Sequence, residues 1–294
     1  MRIGALEAGG TKMVVAVFDG ENRCLRKASI PTSRPEETLP KMISFFQEEK
    51  LDALGIASFG PVDLHPESKT YGWITTTPKK AWRNVDLVGA FQKALKVPIG
   101  FDTDVNGALL GEVSFGSCKG LSDAVYLTVG TGIGGGVLSG GKLLHGMLHP
   151  EIGHLRVPRV EGDDYAGCCP YHKDCLEGMA SGPAIEGRYG RKAQELASVP
   201  EVWDLESRYL AYGIVDLILT LSPQRIVLGG GVLHQEQLYP LIRKHVEELL
   251  GGYLSTPEVQ DLSSYLVAPA LRDEQGILGA MMLGKQKLTE KEKS

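Results

Sequence analysis

A glycine-rich turn is written twice in this chain, 120 residues apart. The first copy spans residues 3–20 (IGALEAGGTKMVVAVFDG) and the second residues 123–140 (DAVYLTVGTGIGGGVLSG). Under that one offset Gly10 falls on Gly130, Thr11 on Thr131, Val17 on Val137 and Gly20 on Gly140. In each copy an apolar run enters a Gly/Thr turn, a second apolar run leaves it, and another Gly-containing turn follows. Each therefore reads as a β-hairpin opening its own sheet. Two such units imply two related domains whose turns face one cleft. A turn without bulky side chains lets backbone N–H groups and a hydroxyl approach an anion closely. The expectation is a polyphosphate, and hence a nucleotide, held between two lobes.

The chain has 294 residues, 43% hydrophobic and 23% charged, enough for two domains with proper cores. A net charge of -5 supplies no basic field for a nucleic-acid backbone, so nucleic acid is not an expected partner. No apolar stretch approaches the roughly 20 residues of a membrane span, and the chain opens in a strand and not a signal peptide. No membrane partner is expected, and the expected location is cytoplasmic. The terminal KQKLTEKEKS reads as a frayed tail. Five cysteines, three of them crowded at Cys168, Cys169 and Cys175, fit metal ligation in a reducing compartment better than a disulfide framework.

Strand and helix signals alternate after the first hairpin, the mark of an α/β layer fold. A helix is expected over 36–50 behind Pro35, a buried strand over 53–58 ending at Gly60-Pro61, and a loop over 75–82. A helix over 85–95, a strand over 99–102 and a helix over 106–113 follow. The second lobe restarts near Ser122, with a loop-rich stretch over 142–182 and a helical block over 183–221. A strand over 225–228 then meets Gly229-Gly230-Gly231, and helices follow over 237–249 and 276–288. This divides the chain into a first lobe, 1–117, a second, 118–275, and a final segment, 276–294, packing back on the first.

Gly130, Gly132 and Gly135 satisfy G-x-G-x-x-G, with Glu151 at 21 residues from Gly130, but a strand and not a helix follows the turn. The protein-kinase version of that loop lacks any H-R-D or D-F-G companion, and no G-x-x-x-x-G-K-[ST] loop occurs. Any one such turn could be a plain hairpin; three after apolar runs favour phosphate and adenosine binding. Asp104 follows a short apolar run, where it could cap a helix or, projecting into a ligand crevice, act as a general base on a substrate hydroxyl. Cys169, His172 and Cys175 stand at C-x₂-H-x₂-C spacing with His154 upstream. Two thiolates and two imidazoles would close a tetrahedral, structural zinc site, with Cys168 as the alternative to Cys169. Glu151, His154 and Glu177 beside such a clamp suit a polyhydroxylated ligand. His65, His145, His149 and His234 show no partner pattern.

Taken together, these residues resemble the ROK family of sugar kinases and repressors, and within it the zinc-containing fructokinase branch. The resemblance rests on Glu7-Ala8-Gly9-Gly10-Thr11-Lys12, Ser58-Phe59-Gly60-Pro61, Thr75-Thr76-Thr77-Pro78-Lys79 with Trp82, and Thr103-Asp104-Val105-Asn106. It continues through residues 128–136, 151–154, 169–178 and 228–231. It implies the two-lobed, actin-like ATPase fold of hexokinases, each lobe RNase H-like, with ATP and Mg²⁺ as partners. By the same resemblance Gly9, Gly10, Thr11, Lys12, Thr131 and Gly132 would hold phosphates, and Pro183, Gly230, Gly231, Val232 and Leu233 the adenosine. Asp104 would be the base; Gly60, Pro61, Thr103, Asn106, Glu151, His154 and Glu177 would line the hexose site; His154, Cys169, His172 and Cys175 would hold zinc. Many members carry Asp where this chain has Glu7.

The resemblance implies phosphorylation of the 6-hydroxyl of fructose by a homodimer, with mannose, glucose or an N-acylhexosamine as alternative substrates. Repressors of the family carry a DNA-binding module before the first glycine turn, which here begins within ten residues of Met1, so a kinase is expected. A sugar-sensing module without turnover is disfavoured by Asp104 and the two phosphate turns.

Overall fold

The computed structural model describes residues 1–293. The anticipated first hairpin is β1 (Arg2–Ala8) and β2 (Lys12–Asp19), both buried along most of their length. Runs without polar alternation belong to strands covered on both faces. A third strand, β3 (Cys24–Pro31), was not expected from the sequence. It alternates between half-buried and exposed positions and forms the sheet edge. The chain continues through α1 (Pro35–Gln47), β4 (Ala53–Ser58), a short ribbon of β5 (Trp73–Ile74) and β6 (Val85–Asp86), α2 (Leu87–Leu95), β7 (Ile99–Thr103) and α3 (Asp104–Phe115). The sheet order is β3-β2-β1-β4-β7, antiparallel through the hairpin and parallel from β1 to β7.

A second sheet repeats that plan. β8 (Ala124–Val129), β9 (Ile133–Ser139) and β10 (Lys142–Leu143) form its antiparallel side; α4 (Leu176–Ala180), α5 (Gly182–Tyr189) and α6 (Pro200–Leu221) follow. β11 (Arg225–Gly229), α7 (Leu238–Leu250), α8 (Pro257–Gln260), α9 (Leu262–Tyr265) and β12 (Leu266–Val267) complete it. The order β10-β9-β8-β11-β12 has the same directions strand for strand. The expected helical block over 183–221 is interrupted, because Gly190 at φ 66° ends α5 before Pro200 opens α6.

The duplication carries a one-residue slip. Val17 pairs with Gly4, whereas Val137 pairs with Val125, 121 residues after Gly4. The first turn fits four residues between its last strand pair, Ala8 and Met13, and the second fits three between Val129 and Ile133. The single offset of 120 therefore holds for the outgoing strands only.

Two compact units result: Met1–Gly120 with His145–His149 and the chain from Ala270 onward, and Leu121–Leu144 with Pro150–Pro269. The last segment of the first unit is α10 (Gln275–Lys293), so the expected frayed tail is helical through Lys293. In the first unit Leu6, Val15, Leu54 and Ile56 pack with Met42, Phe46 and Phe91 of α1 and α2 on one sheet face. On the other face α10 meets β4, β7 and α3 almost backbone to backbone. A Cβ at Gly55 would overlap the carbonyl of Ala280, one at Gly100 that of Leu283, and one at Gly279 that of Gly107. In the second unit the core joins Val125, Leu127 and Val129 of β8 to Leu210, Ile214 and Ile218 of α6. Among the described residues no helix is long and apolar enough to cross a membrane.

The glycine seam gives the first prediction. Gly279→Val should lower stability by about 1–3 kcal/mol through overpacking. Gly20→Ala, where a Cβ would find only ordinary contacts with Met1, should change stability by less than about 0.5 kcal/mol. Urea unfolding of the two variants measures the difference.

Candidate functional site

In the first unit the candidate site gathers where β1, β4 and β7 end. Thr103, the last residue of β7, caps α3 by accepting from Asn106 N at 3.1 Å. Asp104 is thus the first helical residue and not the cap, and its Oδ1 accepts from Val105 N at 2.9 Å. Its carboxyl is pushed up to about 6, chiefly by burial, against the opposing hydrogen bond from Val105. Glu7 stands at the end of β1 on the α10 face, where its oxygens fill the space a Cβ on Gly276 would need. Burial, followed by the charge of Asp104, pushes Glu7 up to about 7 against the pull of Lys12 and Lys27.

The phosphate-turn candidates of this unit are close by in the chain and bonded to their surroundings. Gly9 N donates to Lys12 O at 3.0 Å, and Thr32 Oγ1 donates to Gly9 O at 2.8 Å. Thr11 and Lys12 are exposed, and the Lys79 side chain lies across Gly10. Gly60-Pro61 is joined by a cis peptide and is tied to the Thr75 segment, where Thr75 N donates to Pro61 O at 2.8 Å.

Four residues that sequence reasoning left without a role meet here. Asp102, only 3% exposed, accepts from Thr103 N at 2.8 Å, from Asn106 Nδ2 at 2.7 Å and from His145 Nε2 at 2.9 Å. A carboxylate only accepts, so the facing atoms must be the amide nitrogen of Asn106 and a protonated Nε2 of His145. Their mutual distance of 3.4 Å is therefore two donors side by side on one acid. Asn106 Oδ1 is buried with no hydrogen-bond partner among the described residues. His65 Nε2 bonds Met147 O at 2.8 Å, and His149 Nε2 accepts from Val62 N at 3.2 Å beside Gly60. The partners are distant in sequence, so no local spacing could have revealed them.

In the second unit three glycine stretches converge. Gly130 N donates to Gly132 O at 2.9 Å, and Gly182 N donates to Gly130 O at 2.8 Å. A Cβ on Gly130 would lie 3.8 Å from Gly231 N. Thr131 lies in that turn, and Pro183 follows Gly182 at the start of α5. Gly230, at φ 95°, packs against Val129 and Thr128, a conformation that L side chains rarely adopt. Val232 and Leu233 are buried in the core below. Three glycine-bearing backbone stretches thus lie side by side beside an apolar floor.

The metal-ligand candidates gather around one point in the same unit. Cys169 Sγ lies 3.8 Å from both His154 Nδ1 and His172 Nδ1, and Cys175 Sγ lies 3.5 Å from His154 Nδ1. All four donor atoms fall within 4.8 Å of one another. The three sulfur–nitrogen separations of 3.5–3.8 Å are close to the edges of a tetrahedron with metal–sulfur bonds of about 2.3 Å and metal–nitrogen bonds of about 2.0 Å. Cys168 is outside the group, with its sulfur 3.6 Å from Ser181 Oγ. Burial pushes the Cys175 thiol up to about 11, so a thiolate there needs a compensating cation. Glu177, at the second position of α4, accepts from Ile133 N at 2.9 Å through an oxygen lying over Gly132. Glu151 is exposed at the head of the short turn Ile152–His154.

Two units built on the same hairpin-led sheet, each with a glycine turn at its mouth, define the two-domain actin-like ATPase fold. The chain belongs to the ROK family, whose sequence profile matches residues 3–287. It is 42% identical to a fructokinase of Zymomonas mobilis over 289 residues, covering 95% of each chain. With a fructokinase of Pediococcus pentosaceus it shares 39% over 288 residues, 98% of this chain and 99% of that one. A ROK glucokinase of Streptomyces griseus, solved in complex with glucose and AMPPNP, superposes with a TM-score of 0.77 at 26% identity, covering 97% of this chain and all of that one.

The Glu7 environment gives a pH prediction. A carboxyl raised from 4.5 to about 7 in the folded state lowers stability as pH rises through that interval. Glu7→Gln should therefore be more stable than the parent at pH 8, by on the order of 2 kcal/mol. The margin should shrink toward pH 4.5, as read by urea unfolding across pH.

Proposed function

We propose that the protein is an ATP-dependent hexose kinase that transfers the γ-phosphoryl group of ATP to the 6-hydroxyl of D-fructose. The observation that carries this reading is Asp104, a raised carboxyl at the β7–α3 junction beside Glu7. In the mechanism Asp104 accepts the proton of the attacking hydroxyl, a role for which a carboxyl near 6 is suited at neutral pH. The turns around Gly10 and Thr131 bind phosphate oxygens through backbone N–H groups and threonine hydroxyls. The stretch around Pro183 and Gly230 to Leu233 takes the adenosine. Gly60, Pro61, Thr103, Asn106, Glu151, His154 and Glu177 are assigned to the hexose site. Mg²⁺ arriving with ATP would neutralise charge on the transferring phosphoryl group. The mutually repelling carboxyls of Glu7 and Asp104 are hard oxygen donors that suit such a cation.

Fructose is favoured over glucose because the two fructokinase relatives stand at 42% and 39% identity and the glucokinase at 26%. Mannose, glucose and N-acylhexosamines are the competing acceptors. We assign structural zinc to His154, Cys169, His172 and Cys175, and a cytoplasmic homodimer as the working form.

ADP release from Mg-ATP over a panel of fructose, mannose, glucose and N-acetylmannosamine tests the activity; no ADP with any of them rejects it. Asp104→Asn should lower kcat by about 10²–10⁴-fold with KM for ATP little changed. The parent's kcat/KM should fall with unit slope below about pH 6, and a flat acid limb argues against Asp104 as the base. Metal analysis should find about one zinc per chain. Cys175→Ser should lose that zinc and melt at least about 5 °C lower; a zinc-free parent with the same melting point removes the structural role.

A further inference from the structure

The five residues His145–His149 follow β10 in sequence but belong to the first unit. They are pinned there at three places: His145 on Asp102, the Met147 carbonyl on His65, and His149 on Val62 N beside Gly60. Two of these anchors adjoin stretches assigned to the sugar: Asp102 stands next to Thr103 at the end of β7 and bonds Asn106, and Val62 follows Gly60-Pro61. His145 differs from an ordinary anchoring residue in two respects. Its side chain remains 41% exposed, while the Asp102 carboxylate behind it is 4% exposed. Among the described residues its one hydrogen bond, to Asp102, is made through Nε2.

We propose that His145 is a sugar-contacting residue of the proposed hexose kinase, bonding a substrate hydroxyl through Nδ1, with Asp102 as the positioning residue that fixes its ring. The chemistry follows from the acid. Because Asp102 holds the proton on Nε2, the neutral imidazole presents Nδ1 as an acceptor on the opposite side of the ring, with its tautomer and rotation fixed. A sugar hydroxyl can donate to such an atom. Asp102 also raises the affinity of the ring for a second proton through the same hydrogen bond, and in that state Nδ1 donates to a sugar oxygen. Either form can bond a hydroxyl of a polyhydroxylated ligand. Phosphate and purine contacts remain with the glycine turns.

The inference rests on the kinase reading, and the experiment separates the two. In steady-state assays on the full-length protein, His145→Phe should raise KM for the preferred hexose at least about tenfold, with KM for ATP within about twofold of the parent. A tenfold change corresponds to the loss of one well-placed hydrogen bond. His145→Gln, which keeps an acceptor and a donor at similar reach, should recover most of that loss. If the Phe variant keeps its sugar KM within about twofold, the assignment is overturned. It is equally overturned if both KM values rise together, the melting point falls and Gln gives no rescue, which is the signature of a purely structural segment. A parent inert toward every hexose overturns the kinase reading and this assignment with it; an active parent with unaffected variants overturns this assignment alone.

Discussion

The close approach of α10 to β4, β7 and α3 at their glycines is the constraint on which the first unit depends. Gly55, Gly100, Gly111 and Gly279 each leave room for a neighbouring backbone that a methyl group would occupy. That closeness lets Gly276 admit the Glu7 carboxylate beneath the start of α10, within electrostatic reach of Asp104 at the start of α3. Two acids drawn together and away from water both hold their protons more tightly than isolated carboxyls do. A helix seam built of glycine is thus linked to the protonation behaviour of the residues at its end.

Asp102 plays a comparable part for polar order. A carboxylate removed from water must be met by donors, and its three are drawn from a strand end, a helix turn and a segment 43 residues further along the chain. One acid thereby sets the end of β7, the rotamer of Asn106 and the ring of His145. Asn106 Oδ1, buried without a partner among the described residues, is the residual penalty of that arrangement.

Much of this was legible in the residues. The two hairpins, the strand ending at Gly60, the helix after Asp104 and the four clustered metal-ligand candidates all declare themselves through local spacing. β3 escaped notice because an edge strand with half its residues in solvent carries little hydrophobic signal. The register slip was hidden because glycine and threonine align equally well on either side of a turn. Cys169 and Cys168 could not be told apart until the direction of each sulfur was known. His65, His145 and His149 were opaque for a simpler reason: each acts through a partner that only folding brings near.

The slip of one residue between the hairpins also decides which positions correspond. Val14 pairs with Glu7 in the first sheet, and Gly134, its counterpart, pairs with Thr128 in the second. The acid of one unit is thus matched by a hydroxyl in the other, and that hydroxyl lies against Gly230. Likewise β7 runs into Asp104, while β12, the strand at the same place in the second sheet, runs into Ala268 and Pro269. At these two matched strand positions the N-terminal unit carries carboxyl groups and the C-terminal unit uncharged residues. The duplicated scaffold is thus chemically asymmetric, and the difference is visible at the tip of a single strand.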